Sequence, residues 1–504
     1  MNKIWQAVGI VLALNIALLG FSWLYEHTFV QWDDTTKQET EGDFRFITLS
    51  DILTPDTSTI NETAEQLADK LLKADTLVIK KMPKRGKVDS AFLVKNSDTA
   101  ALRENKIYNP GGLAAFFEAL IQEKDNTLIR VGHYGDSQLE GDRVTQNLRV
   151  NLQAKFGGGG LGFVPLDDVA SSMGYTRTHT GTWTRYNVFN NRIKNGFYGL
   201  SGTLFRFAKG EVLPDSIKAE DSASLGAYTE TGKSGEKKVK YGRNASVTFN
   251  FAKWVSYDRV SLMYGRTSEG FVVKGTSQGK PLFTDSVKPS LGFAQMNLDI
   301  PDGTKNFKLE FLCNSSPDIY GLQVDGSTGI TVDNYAIRGH SGDGLMKIDD
   351  AYLATQADLT NTRLIVFQYG ANMIPYLESE KECQYYEDAF YRLFMKFKKA
   401  APKASILVIG NGDMGTHVAG QEQSYAHVRC LSDVQKSAAL RAGCSFWSLL
   451  DAMGGDNSIL TWSRKGLSSL DGHLSPSGQK IMANLIFKAL MVEYNNYVLT
   501  QQNP

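Results

Sequence analysis

The stretch Leu128-Ile-Arg-Val-Gly-His-Tyr constrains the fold more than any other part of the chain. It is a mainly apolar run of strand length that ends on Gly135-Asp136-Ser137 and gives way to a helix. In that helix Val144, Leu148, Leu152 and Phe156 recur every four residues and line one face. Strand followed by helix is the opening unit of an α/β domain. The signal returns late in the chain. Leu364–Tyr369 reads as a buried strand, followed by a helix around Tyr386–Lys399 and a strand at Ser405–Ile409. A helix around Asp433–Ala442, a strand at Ser445–Leu450 and a final helix from Gln479 to Tyr494 complete the pattern.

Between about residues 170 and 330 the texture changes. Short alternating runs at Ser246–Phe251, Val260–Met263, Phe271–Lys274 and Phe307–Leu312 are separated by Gly, Ser, Asp and Asn clusters. That spacing predicts an all-β sandwich inserted into the α/β chain. A length of 504 residues accommodates more than one core. The expected division is 1–34, a membrane anchor or signal; 35–105, a stalk and lead-in; 106–169 and 331–504, the two parts of the α/β domain; and 170–330, the insert. The insert carries Trp254, Tyr257, Tyr264 and Phe271. Aromatics of this kind stack on sugars when exposed and fill the core when not.

The 54 basic residues equal the 54 acidic ones, so no global basic field argues for nucleic acid. Four cysteines, Cys313, Cys383, Cys430 and Cys444, are too few for a disulfide scaffold and lack the paired spacing of a zinc site. No metal is expected. Nor is a cofactor: the run Gly157–Gly162 follows a helix, whereas a dinucleotide loop must follow a strand and open a helix.

Ala7–Tyr25 is an uncharged, mainly apolar run of 19 residues, long enough to cross a hydrocarbon core of about 30 Å as a helix. Lys3 precedes it and Glu26, Asp33 and Asp34 follow, so the rest of the chain is expected outside the cytoplasm. A cleaved signal peptide is the rival reading, but Gly20-Phe21-Ser22 followed by Trp23 is a poor cleavage site. The expected location is the periplasm or cell surface, with the chain held in the inner membrane by this helix. Export opens the option of a Cys430–Cys444 disulfide.

Four short motifs carry chemistry when taken together. Gly135-Asp136-Ser137 lies at a strand C-terminus, where ligands collect in open α/β sheets; alone, the serine also suits a helix N-cap. Asp471-Gly472-His473 pairs a base near working pH with a carboxylate, which a serine nucleophile requires; alone, it is a turn. Asn372, in Gly370-Ala371-Asn372 after a buried strand, has an amide that suits an oxyanion donor, and equally an Asx turn. Gly339, in Ala336-Ile-Arg-Gly-His-Ser-Gly, offers a backbone N–H to the same hole, or is an ordinary turn glycine.

In this order the motifs resemble the SGNH (GDSL-type) hydrolase superfamily, whose blocks are a G-D-S serine, a glycine, a G-x-N asparagine and a late D-x-x-H. The stretches His133–Thr145 and Phe156–Phe163 are similar to bacterial peptidoglycan O-acetylesterases, and Ser445-Phe446-Trp447 and Ala452-Met453-Gly454-Gly455 resemble exported bacterial relatives. The O-acetylesterases carry a carbohydrate-binding-type β module between serine and glycine. The resemblance implies a three-layer α/β/α domain with a parallel sheet, interrupted by the β-sandwich. It makes Ser137 the nucleophile, His473 the base, Asp471 its orienting carboxylate, and Gly339 and Asn372 the oxyanion hole with the Ser137 N–H. One departure stands out: the acid and base are spaced Asp471-x-His473, one residue short of the family pattern. Either Asp471 still reaches His473, or another acceptor orients it.

The implied activity is that of an exported serine esterase removing O-acetyl groups from a cell-surface glycan, peptidoglycan by resemblance. Two alternatives stay open. One is an O-acetyltransferase of an exported polysaccharide working with a membrane-bound O-acyltransferase partner. The other is a glycan-binding protein with a degenerate site.

Overall fold

The computed structural model describes residues 62–73, 79–81, 86–93, 105–122, 127–207, 228–231, 237–240 and 243–502. The expected membrane helix at residues 1–34 lies outside them. Among the described residues no helix is long and apolar enough to cross a membrane.

A six-stranded sheet organises the α/β part in the order Ile107–Tyr108, Ser445–Ser448, Ser405–Gly410, Thr362–Gln368, Leu128–Gly135, Gly329–Ala336. All eight residues of Leu128–Gly135 are buried, as a strand covered on both faces requires. Alternate side chains enter different cores. Ile129 and Val131 join Val144, Leu148 and Leu152 of the helix Arg143–Phe156, together with the apolar face of the C-terminal helix Pro476–Gln502. Tyr134 points the other way, with ring centroids 5.4 Å from Phe367 and 5.2 Å from Phe397 of the helix Glu380–Ala400. Helices on both faces of the sheet make three layers.

The sheet differs from the expected all-parallel one at one edge. Ile107–Tyr108 runs antiparallel to Ser445–Ser448, while the remaining neighbours are parallel. Gly329–Ala336 is a strand that hydrophobic pattern conceals, because Asp333 and Asn334 interrupt it. Asp333 is tolerated there because a buried arginine from the next strand answers it. Arg130 Nη1 donates to Asp333 Oδ1 and Nη2 to Asp325 Oδ2, both at 2.6 Å.

Residues between Gly160 and Asp325 form two large antiparallel sheets that share a hydrophobic cluster including Val247, Phe249, Val260, Leu262, Phe307 and Leu322, and Tyr228–Thr231 pairs separately with Lys237–Lys240. Gly160–Val164 pairs with Ile319–Asp325, so the β region begins earlier than the expected residue 170. Gly158 and Gly160 sit where the α/β sheet and the β region touch. Both have positive φ, and a Cβ there would lie 2.2 Å from Ile330 O and 2.0 Å from Val324 O. The glycine run therefore serves close backbone approach between the two β layers. Of the four aromatics singled out in the insert, Tyr257 and Phe271 are buried and Trp254 is 52% exposed.

The described parts of the lead-in do not stand clear as a stalk. The helix Glu62–Lys73 buries Ala64 and Ala68, one turn apart, and pairs Glu65 and Asp69 with Lys465. Further on, the Gly86 N–H donates to Tyr494 Oη at 3.0 Å, and Phe92 meets Phe487 edge-on. None of the four cysteines is in a disulfide, and Cys430 has Cys383 for its thiol neighbour, while Cys444 is buried against the Ala442 carbonyl.

Candidate active site

Ser137 follows Leu128–Gly135 by two residues. Gly135 is obligatory there, because a Cβ would lie 2.6 Å from Leu139 Cδ1 and 2.8 Å from Gln368 O. The Asp136 carboxylate closes the turn by accepting from the Gln138 N–H at 2.9 Å, and the Leu139 N–H donates to Asp136 O at 3.1 Å. This turn lifts the serine hydroxyl off the C-terminal edge of the sheet. Arg143, at the start of the following helix, donates to the Ser137 carbonyl at 3.1 Å.

His473 arrives from the opposite end of the chain. Its Nε2 lies 2.9 Å from Ser137 Oγ, and its Nδ1 lies 3.0 Å from Asp471 Oδ2. The short Asp471-x-His473 spacing closes because Gly472 takes φ +85°, a left-handed conformation that folds the loop back on itself. Ser469 N donates to His473 O at 2.9 Å and Gly472 N to Ser469 O at 3.0 Å, tightening the same loop. Partial burial works against the Asp471 anion. Hydrogen bonds from the Ser469 hydroxyl and from the His473 N–H and ring outweigh it and hold the carboxyl below its usual range. Gln138 Nε2 donates to Gly472 O at 3.0 Å and ties the histidine loop to the serine turn.

Asn372 lies four residues past the end of Thr362–Gln368. Its Nδ2 donates to Asp136 Oδ2 at 3.0 Å and to His340 O at 3.3 Å. Gly339, with φ +74°, immediately precedes His340 in the turn after Gly329–Ala336. The structure thus brings all five sequence-derived residues to one edge of the sheet: Ser137, His473 and Asp471 in a hydrogen-bonded line, Asn372 and Gly339 beside the serine turn. Chemically, a hydroxyl within reach of an imidazole that a carboxylate orients is an acyl-transfer arrangement. Among the described residues no group of three or more His, Cys, Asp or Glu side chains is placed to hold a metal ion.

Sequence reasoning missed several supports. Arg338 clasps the buried Glu140 through Nε at 2.9 Å from each carboxylate oxygen, fixing the segment before Gly339 to the one after Ser137. Asp413 is buried and accepts from Ile459 N at 2.9 Å and Ser424 Oγ at 2.7 Å, beneath the loop that carries His473. Neither has a local motif that would reveal it. The rings of His133 and His340 are buried and neutral, pushed down to about 3 and about 4 by burial, and stay out of the site, to which His340 contributes only its carbonyl. Asp136 belongs to the Gly135-Asp136-Ser137 motif, and a carboxylate next to the candidate nucleophile is the signal that marks it.

No family model matches the sequence, and no curated protein matches it. Among solved structures, that of a peptidoglycan O-acetylesterase is similar, with a TM-score of 0.55 and 22% identity over 75% of this chain and 95% of that one. An acetyl xylan esterase (TM-score 0.25, 14% identity, 32% of this chain and 81% of that one) is also matched. So is a family two carbohydrate esterase from Cellvibrio japonicus (TM-score 0.22, 12% identity, 54% and 94%). The first likeness is one of fold: the chain shares the overall fold of that structure.

Proposed function

We propose that this chain is a serine esterase that removes O-acetyl groups from a glycan. The observation that carries the reading is the continuous line from Ser137 Oγ through His473 to Asp471, with links of 2.9 and 3.0 Å. Ser137 attacks the acetyl carbonyl carbon as His473 Nε2 takes the hydroxyl proton. The Ser137 and Gly339 N–H groups and the Asn372 amide stabilise the oxyanion, a contribution of roughly 3 kcal/mol per donor. On collapse the C–O bond to the sugar breaks, and the imidazolium returns its proton to the departing sugar oxygen. Water then attacks the acetyl-serine, losing its proton to His473, and acetate and free Ser137 result.

Hydrolysis is favoured over transfer to a second sugar because the His473 and Asp471 side chains are 39% and 59% exposed, which leaves the base open to water. The intact Asp471–His473 contact argues against a degenerate site. Peptidoglycan is the proposed glycan, supported by the likeness in fold to a peptidoglycan O-acetylesterase and by the motifs around Ser137. Export to the periplasm or cell surface is proposed from the apolar run Ala7–Tyr25 and its flanking charges.

Acetate release from O-acetylated peptidoglycan, with Ser137→Ala in parallel, tests the reading. The parent is expected to release acetate and the variant none. Equal release by both, or none by the parent, overturns it.

A further inference from the structure

We propose that Asp136 is a positioning residue that holds the Asn372 amide with its N–H end toward the oxyanion, an inference that rests on the esterase reading above. Asp136 is 1% exposed, and no lysine or arginine among the described residues pairs with it. A buried carboxylate without a cation is costly, and a surface turn gives no reason to keep one. What it does have is two N–H donors, one on each oxygen: Gln138 N on Oδ1 at 2.9 Å and Asn372 Nδ2 on Oδ2 at 3.0 Å. Asparagine would close the Gln138 turn equally well, since an Asx turn needs one acceptor. Its amide has one acceptor only, and the remaining NH2 would confront the Asn372 NH2. The second contact therefore requires the carboxylate.

That contact decides which end of the Asn372 amide faces the serine. A carboxylate only accepts, so it selects the nitrogen end. The other Asn372 N–H donates to the His340 carbonyl at 3.3 Å, the longer of the two bonds, and it is this hydrogen that turns to the oxyanion while the Asp136 bond holds. Asn372 Nδ2 is thereby placed between the serine turn and the glycine turn, where the oxyanion forms. Released from Asp136, the amide keeps only the 3.3 Å bond to the His340 carbonyl, and a turn about it presents the amide oxygen to the developing negative charge, which repels it. Burial pushes the Asp136 carboxyl up to about 6, so the acceptor-only carboxylate is the form present above that pH.

The test is a kinetic cycle in the full chain, with 4-nitrophenyl acetate as the probe. Asp136→Asn keeps the shape and the Gln138 turn but loses the Asn372 link. It is expected to lower kcat by roughly 10- to 100-fold, part of the ~10²–10³-fold a lost oxyanion donor costs, with KM within about twofold. The double variant Asp136→Asn/Asn372→Ala is expected to be no slower than Asn372→Ala alone, because one residue acts through the other. Asn372→Asp approaches the same contact from the other side and is expected to be at least as slow as Asn372→Ala. Melting curves accompany each variant, and Asn372→Asp serves if Asp136→Asn does not fold. Parental kcat in Asp136→Asn, or single effects that multiply in the double variant, overturn the proposal while Ser137-dependent turnover leaves the esterase reading standing. A parent inert toward the ester, or a Ser137→Ala variant as active as the parent, overturns both.

Discussion

Gly472 and Asp136 show how single residues set this site. A side chain at position 472 would strain the left-handed turn by ~1–2 kcal/mol and shift the carboxylate away from the imidazole, so the shortened acid–base spacing depends on glycine there. Asp136 illustrates the opposite bargain, a residue held against stability. Its ordinary carboxyl value of 3.8 rises to about 6 on folding because burial disfavours the anion. The folded state thus binds the proton more tightly than the unfolded one. Stability from this group is greatest below about pH 4, falls as pH rises to about 6, and stays reduced above that. The shift corresponds to roughly 3 kcal/mol at pH 8. Asp136→Asn carries no such penalty. The difference in melting temperature between variant and parent is expected to move in the variant's favour between pH 4 and pH 8, by several degrees. Thermal unfolding at the two pH values measures it; a difference independent of pH would show that the buried carboxyl does not titrate on unfolding.

At the scale of elements, the joint between the parallel sheet and the β region is charged rather than apolar. Arg130, from the strand Leu128–Gly135, bridges Asp325 at the end of a β-region strand and Asp333 on the sheet's edge strand. Asp333 also accepts from the Phe163 N–H at 3.0 Å and from Tyr335 Oη at 2.5 Å. One guanidinium thus fixes three strands, all of it buried. Replacing a buried ion network by apolar groups is often neutral, but removing one member leaves uncompensated charge. Arg130→Met is expected to destabilise the chain by about 3–5 kcal/mol, measured as a shift of the urea midpoint. Arg130→Met combined with Asp325→Asn and Asp333→Asn is expected to recover part of it. An Arg130→Met loss under 1 kcal/mol would overturn the reading that the guanidinium compensates the two buried aspartates. This joint also explains why the edge strand escaped pattern reading: Asp333 looks like a surface residue until the arginine that answers it, 203 positions earlier, is known.

Across the whole molecule, what the sequence made legible was what local chemistry determines. The strand before Ser137, its four-residue periodic helix and the C-terminal helix are set by contiguous apolar spacing. The five candidate site residues were legible because they sit in four short motifs, Asp471 and His473 sharing one. Long-range pairings were not: Glu140 with Arg338, Asp413 beneath the histidine loop, and Asp136 with Asn372 join residues far apart in sequence. The lead-in is the largest such case, since its composition is polar and its burial depends on partners more than 350 residues away, as in Glu65 and Asp69 with Lys465 and Gly86 with Tyr494. Asp89 likewise pairs with Lys155 and receives Asn495, placing the lead-in against two helices of the α/β core. With Ala64 and Ala68 fully buried and Phe92 packed on Phe487, its loss exposes apolar surface on both sides. Each large side chain uncovered costs about 1.5–3 kcal/mol, and the buried Lys155 loses its acid. A fragment beginning at residue 105 is therefore expected to melt several degrees below one beginning at residue 35 and to bind more of a dye that reports exposed apolar surface. Equal melting temperatures would return the lead-in to the role of a spacer. If the shorter fragment is less stable but retains Ser137-dependent ester hydrolysis, the lead-in supports the core without contributing to the site.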